Sequence, residues 1–348
     1  MSSPRERARL TWLDSLKGFA ILCVVAGHVV YGYIKAGAYP DSAASEFSLL
    51  QFFASFHMPL FILISGFIYS MVYFDAAGQP KMGKLKVQLL DIAAIYVIFS
   101  ALLVLFKVIC AKYVNTQMSF SDLLFIWRTP VPPYWYLYAL AVFYLIGIPL
   151  LKSGRRSWLF VGLAVSAALG FASRSLALTP DFAMNSIAFL LVFFILGVAI
   201  QRGALPLSWP LAIGSFCVAC ALYCVFRSQD YVTFAGEIAG QPVVSTLVAA
   251  GFCLFLFKVF SSVSWLDNRF LTFCGSYCLE IYVLHCFFTA GFRAAFNMVG
   301  VSNFWLSFFL NLALSTAIPL AIALVLKKIG LHDIVFRPAH WVAKRRKA

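Results

Sequence analysis

The sequence predicts an all-α, polytopic membrane bundle of about ten transmembrane helices with both termini cytoplasmic. Three observations carry that prediction. Hydrophobic residues make up 62% of the 348, charged residues 11%, and Phe alone occurs 36 times, so a water-soluble fold would have no surface left for solvent. Apolar runs long enough to cross a bilayer recur along the chain, separated by short polar connections. The basic residues then fall mostly into alternate connections, as the positive-inside rule requires.

The spans follow in order. The first, residues 13–33, has a basic segment ahead of it, but its length and the lack of a small-residue cleavage pattern make it a retained anchor rather than a cleaved signal. The others are expected at residues 49–74, 87–111, 134–151, 158–177, 184–200, 209–226, 243–260, 270–292 and 304–326. Pro and Gly mark the turns, as in "DAAGQPKMGK" and "RTPVPP". With no linker, low-complexity segment or internal repeat, residues 1–348 read as one integral membrane domain without a separate soluble one.

Charge sets the orientation. With the N-terminus inside, the inner segments hold Arg5, Arg7, Arg9, Lys81, Lys84, Lys86, Lys152, Arg155, Arg156, Arg202, Lys258, Arg269, Lys327, Lys328, Arg337, Lys344, Arg345, Arg346 and Lys347, or 19 of the 27 Lys and Arg. The outer loops hold six, namely Lys35, Lys112, Arg128, Arg174, Arg227 and Arg293, while Lys17 and Lys107 lie within spans. This asymmetry accounts for the net charge of +14 without any nucleic-acid partner. The nine cysteines all fall in expected spans, where even the Cys217/Cys220 pair reads as small apolar packing rather than as a disulfide, redox or metal motif.

Polar residues inside the spans are the candidates for function. An ionisable group at bilayer depth costs about 2.5 kcal/mol or more, so each needs a partner or a task. The first span carries Asp14, Lys17 and His28. Asp14 and Lys17 are spaced as a helical ion pair near the cytoplasmic surface. Lys17 and His28 share a face, about 20° apart around the helix and about 16 Å along it. The second span has His57, followed by Pro59, which frees a carbonyl, and by Ser65 and Gly66, which permit close helix approach. The ninth span has Glu280 and His285. Measured from the span centres at about 1.5 Å per residue, His28, His57 and His285 fall in one layer slightly outside the midplane.

A single membrane histidine often serves only as an interhelical hydrogen-bonding link, worth about 1 kcal/mol. Three in one layer instead suggest a shared cavity, where a neutral imidazole can take a proton from a hydroxyl and promote acyl transfer to an alcohol. A thioester donor with nucleotide phosphates would need cations on the cytoplasmic side, where Lys81, Lys84, Lys86, Arg155 and Arg156 lie. The aromatic stretch "PPYWYLYALAVFYL" reads first as an interfacial belt and second as a substrate platform.

These residues also carry a resemblance. "LTWLDSLKGFAILCVVAGH", "FHMPLFILISGFIYS", "PPYWYLYALAVFYLI" and "CGSYCLEIYVLHCFF" together resemble the acyltransferase 3 family, bacterial integral-membrane O-acyltransferases of surface and exported carbohydrates. The resemblance implies a bundle of about ten helices in the bacterial inner membrane, acyl-coenzyme A (acetyl-coenzyme A in an O-acetylating member) as cytoplasmic co-substrate, and a carbohydrate or glycolipid hydroxyl as acceptor. It implies no tightly bound cofactor and no metal. It makes His28 catalytic, with Asp14 and Lys17 at the motif's acidic and basic positions and His57 on an FHMP-type motif. Many members carry an RxxR motif after the second span, where this chain reads "KMGKLKVQLL" and keeps charge without the guanidinium fork.

Two other classes fit part of the same pattern. A proton-coupled transporter or lipid-linked sugar flippase would also use intramembrane His, Glu and Asp, although such carriers usually show repeated halves and paired broken helices. A membrane sensor or scaffold would need no catalytic His28.

Overall fold

A computed structural model describes residues 10–112, 114–152, 155–175, 182–226, 232–233, 237–238 and 241–346. Arg5, Arg7, Arg9, Arg227 and Lys347 of the charge reading, and the last two residues of the fifth expected span, lie outside them. The order is α1 (Thr11–Ala36), α2 (Ala43–Tyr73), α3 (Met82–Ile109), α4 (Trp135–Lys152), α5 (Arg156–Ser175), α6 (Phe182–Gln201), α7 (Trp209–Phe226), α8 (Pro242–Ser262), α9 (Arg269–Ser276), α10 (Cys278–Met298), α11 (Phe304–Lys328), α12 (His332–Phe336) and α13 (Pro338–Arg345). Ten of these, α1–α8, α10 and α11, are long and apolar enough to cross a membrane. Val232–Thr233 and Glu237–Ile238 form a minimal antiparallel pair.

α1 is the central helix, packed against α2, α8, α9, α10 and α11. It stops at Gly37, whose left-handed φ of 58° lets its N–H reach the carbonyl of Ile34. Glycines set the closest approaches. A Cβ built on Gly18 would sit 2.0 Å from the Leu271 carbonyl oxygen, and one on Gly275 would sit 1.8 Å from that of Asp14, so α1 and α9 cross backbone to backbone. Gly66 and Gly197 do the same for α2 and α6, each with a carbonyl 2.0 Å from the added carbon. Between membrane helices there is little hydrophobic drive, and such small-residue contacts supply the van der Waals attraction instead.

Three features differ from the sequence reading. The ninth span is not continuous from residue 270: the chain breaks at Tyr277 (φ −113°, ψ 26°), leaving α9 as an eight-residue helix ahead of the spanning α10. The break follows the tight crossing of α1 by α9, and it leaves Cys274 outside the spanning segments. Arg293, assigned above to an outer loop, lies in α10 and is buried, its guanidinium donating to the Gly32 carbonyl at 3.3 Å. The aromatic stretch is no surface belt, since Tyr134 and Trp135 are buried against the bundle.

Residues after α11 fold back onto the face that carries the chain ends, here called the terminal face. Phe336 is buried there, its ring stacked on Phe99 at 5.9 Å. On the same face Thr11 and Ser15 donate to the Asp267 carboxylate, fastening the start of α1 to the approach to α9.

Candidate functional site

The intramembrane histidines come together where α1, α2 and α10 meet. The His28 and His285 ring centroids are 4.8 Å apart, and His57 lies on α2, which packs against α1. His57 and His285 have no solvent exposure, and His28 is only partly buried. Nδ1 of His57 lies 2.6 Å from the Phe53 carbonyl, one turn back on α2. Nδ1 of His285 lies 2.7 Å from the Tyr282 carbonyl and 3.2 Å from that of Ile281. A carbonyl only accepts, so both rings carry their proton on Nδ1 and keep the basic lone pair on Nε2.

A cavity of about 240 Å³ leads from the terminal face toward this layer. Lys17, Gln88 and Arg337 line it, as do Val24, Met58 and Tyr282. None of the three histidines lines it, but those last three residues neighbour them along their helices: Val24 is one turn before His28, Met58 follows His57, and the Tyr282 carbonyl holds the ring of His285. Lys17 is fixed by Asp14 at 2.6 Å, the i, i+3 pair expected from their spacing.

The aromatic stretch forms one wall. Tyr136 hydrogen-bonds Ser65 at 2.8 Å, and both line the cavity. Tyr282 donates to the Pro133 carbonyl at 2.6 Å, Tyr134 donates to that of Val283, and the Tyr136 and Tyr282 rings meet edge to face at 5.3 Å. The Tyr282 hydroxyl thereby satisfies a carbonyl ahead of α4, outside any helix, as non-helical chain at membrane depth requires.

Toward the C-terminal end of α1 the interior is polar and buried. Tyr33 pairs with Ser307 at 2.7 Å, and the Asn311 amide donates to Tyr33 at 3.1 Å and to the Thr289 carbonyl at 3.2 Å.

The other candidate residues are dispersed. Lys81 turns its ammonium to the Phe74 carbonyl at 2.8 Å, capping the end of α2. Lys84 and Lys86 are exposed and do not line the cavity. Arg155 and Arg156 line a separate cleft of about 330 Å³ with Gln201 and Arg202. Glu280 is not joined to His285; its carboxylate is 2.7 Å from Nε2 of His332. Arg337, Gln88, Tyr136 and Tyr282 were not singled out from sequence, and only the Tyr-rich composition around residue 136 signals any of them.

A family model described as an acyltransferase domain, acyltransferase 3, matches residues 10–324. Comparison with curated proteins and with solved structures found no match. The matched range contains all three bundle histidines with Asp14 and Lys17, and it stops short of Arg337.

Proposed function

This chain belongs to the acyltransferase 3 family, and from that premise we propose that it is an O-acyltransferase of the bacterial inner membrane. It moves an acyl group, acetyl in the simplest case, from cytoplasmic acyl-coenzyme A to a hydroxyl of a surface, exported or lipid-linked carbohydrate. The observation that supports this reading is a cavity lined by Lys17 and Arg337 whose lining also includes Val24, Met58 and Tyr282, sequence neighbours of the clustered histidines. A thioester arm fits that shape: its charged nucleotide stays near Lys17 on the terminal face, which the charge asymmetry makes cytoplasmic, while its acyl carbon approaches His28.

In the proposed step His28 takes the proton from the acceptor hydroxyl as its oxygen attacks the thioester carbonyl. The tetrahedral intermediate collapses with loss of the thiolate, and the imidazolium returns the proton to it. An ester and free coenzyme A leave. His57 and His285, each presenting a lone pair on Nε2, orient the acceptor and accept hydrogen bonds from it. Asp14 holds Lys17 at the donor entrance, about 16 Å from the reacting atoms.

The test supplies purified chain in lipid nanodiscs with acetyl-coenzyme A carrying a labelled acetyl group, with and without crude host glycan. Label appearing on glycan as a base-labile ester, with stoichiometric coenzyme A, is the expected result. Folded protein that neither consumes any of several acyl donors nor labels glycan would contradict the proposal and favour a carrier.

A further inference from the structure

We propose that residues 331–346 form a clasp over the mouth of the donor cavity and that Arg337 is a binding residue for the phosphates of a nucleotide-bearing thioester. The inference rests on the function proposed above and adds a part that the matched family range, which ends at residue 324, does not contain.

The segment is docked by specific contacts. His332 is bonded to the buried Glu280 of α10 at 2.7 Å. Phe336 has 1% exposure against α3. The carboxylate of Asp91, buried in α3, accepts from the Ala339 amide at 2.6 Å and from the His340 amide, and it also pairs with the His340 ring. Asp91 thereby occupies the N-terminal end of α13, where the unpaired amides and the helix dipole favour an anion. These contacts join α12 and α13 to helices of two different spans.

Between the two short helices stands Arg337, at the N-cap of α13, and it lines the cavity together with Lys17 and Gln88. Among the described residues no carboxylate is within ion-pair distance of its guanidinium, whereas Lys17 is paired with Asp14. Of the other cationic candidates, Lys81 caps the end of α2, Arg155 and Arg156 line a different cleft, and Lys84 and Lys86 are exposed outside the cavity. A guanidinium presents a planar fork of donors that matches phosphate oxygens, which the lysines of "KMGKLKVQLL" lack. The chain thus brings to this cavity from its C-terminal segment a group that its own sequence after α2 does not provide.

The test compares wild type, Arg337→Ala and Arg337→Lys in nanodiscs, using acetyl-coenzyme A and a truncated acetyl thioester of pantetheine that has no phosphate. Arg337 is exposed, so the substitutions should leave folding intact. For acetyl-coenzyme A, Arg337→Ala should raise KM about 10- to 30-fold with kcat nearly unchanged, as loss of a charge-assisted contact to the donor predicts. Arg337→Lys should recover part of that loss. With the phosphate-free thioester, wild type and variant should be indistinguishable. An unchanged KM for acetyl-coenzyme A, or an equal loss with both donors, would overturn the clasp and leave the transferase reading standing. No thioester turnover by wild type would remove that reading, and the clasp with it.

Discussion

The five histidines of this chain divide into two groups that use the same side chain for different ends. On the tail, His332 and His340 turn ring nitrogens to the carboxylates of Glu280 and Asp91, a pairing that fastens one segment to another. Inside the bundle, His57 and His285 turn Nδ1 to carbonyls of their own helices, and His285 sets its ring against His28. The tail pairs are local fasteners at the membrane surface. The bundle group instead clusters where three helices meet, one helical turn or less along the chain from residues that line a cavity. The partner of each ring separates the groups: a carboxylate on another segment for the tail histidines, a carbonyl of the same helix for His57 and His285.

The largest effect should come from His28. Replacement by Ala is expected to lower transfer by about a thousandfold with little change in thermal stability, since loss of a general base typically costs two to four orders of magnitude. A thermal midpoint measured on the same preparation separates lost chemistry from lost fold. Comparable activity in the variant would erase the distinction between the groups.

Next should come His57→Ala and His285→Ala, each expected to reduce turnover by about 10- to 100-fold, in keeping with positioning rather than proton transfer. A loss in either as large as that of His28→Ala would move the base assignment.

His332→Ala should act in the opposite manner. It leaves the buried Glu280 carboxylate without its ring partner, which should lower stability by about 1–3 kcal/mol. Acetyl-coenzyme A KM should rise a few-fold through a looser tail while kcat holds. Glu280→Gln, which keeps a hydrogen-bonding group, should do less, and unfolding midpoints in detergent would rank the two.

The smallest expected effect lies at Asp267. The Thr11 hydroxyl, followed by those of Ser15 and Thr272, holds its carboxyl below the ordinary 3.8. A carboxyl lowered on folding contributes stability that is present above its unfolded value and lost as pH falls through the folded one. Wild type should therefore lose slightly more stability below about pH 4 than Asp267→Asn, whose slope there should be flatter, as unfolding midpoints across pH 3 to 6 would show.

The ten spans were legible because a bilayer demands about 20 apolar residues per helix, a signal carried by each segment alone. The His28 layer was legible for a related reason: helical rise and alternating direction convert residue number into depth. The break at Tyr277 was not, because hydropathy runs through "CGSYCLEI" without a proline, and the close crossing of α1 and α9 at Gly18 and Gly275 is a tertiary contact. Arg293 was misplaced because a lone charge near a span end reads as loop, while its partner, the Gly32 carbonyl, is far away in sequence. The pairing of Glu280 with His332, 52 residues on, and the placing of Arg337 beside Lys17 are likewise tertiary facts that leave no local pattern.

The most direct test of the division between the two groups measures glycan-dependent release of coenzyme A by His28→Ala and His332→Ala, reconstituted side by side in nanodiscs at saturating acetyl-coenzyme A. Release should vanish in the first and remain near wild type in the second. Equal loss in both, or retained release in His28→Ala, would contradict the assignment of chemistry to the bundle histidines.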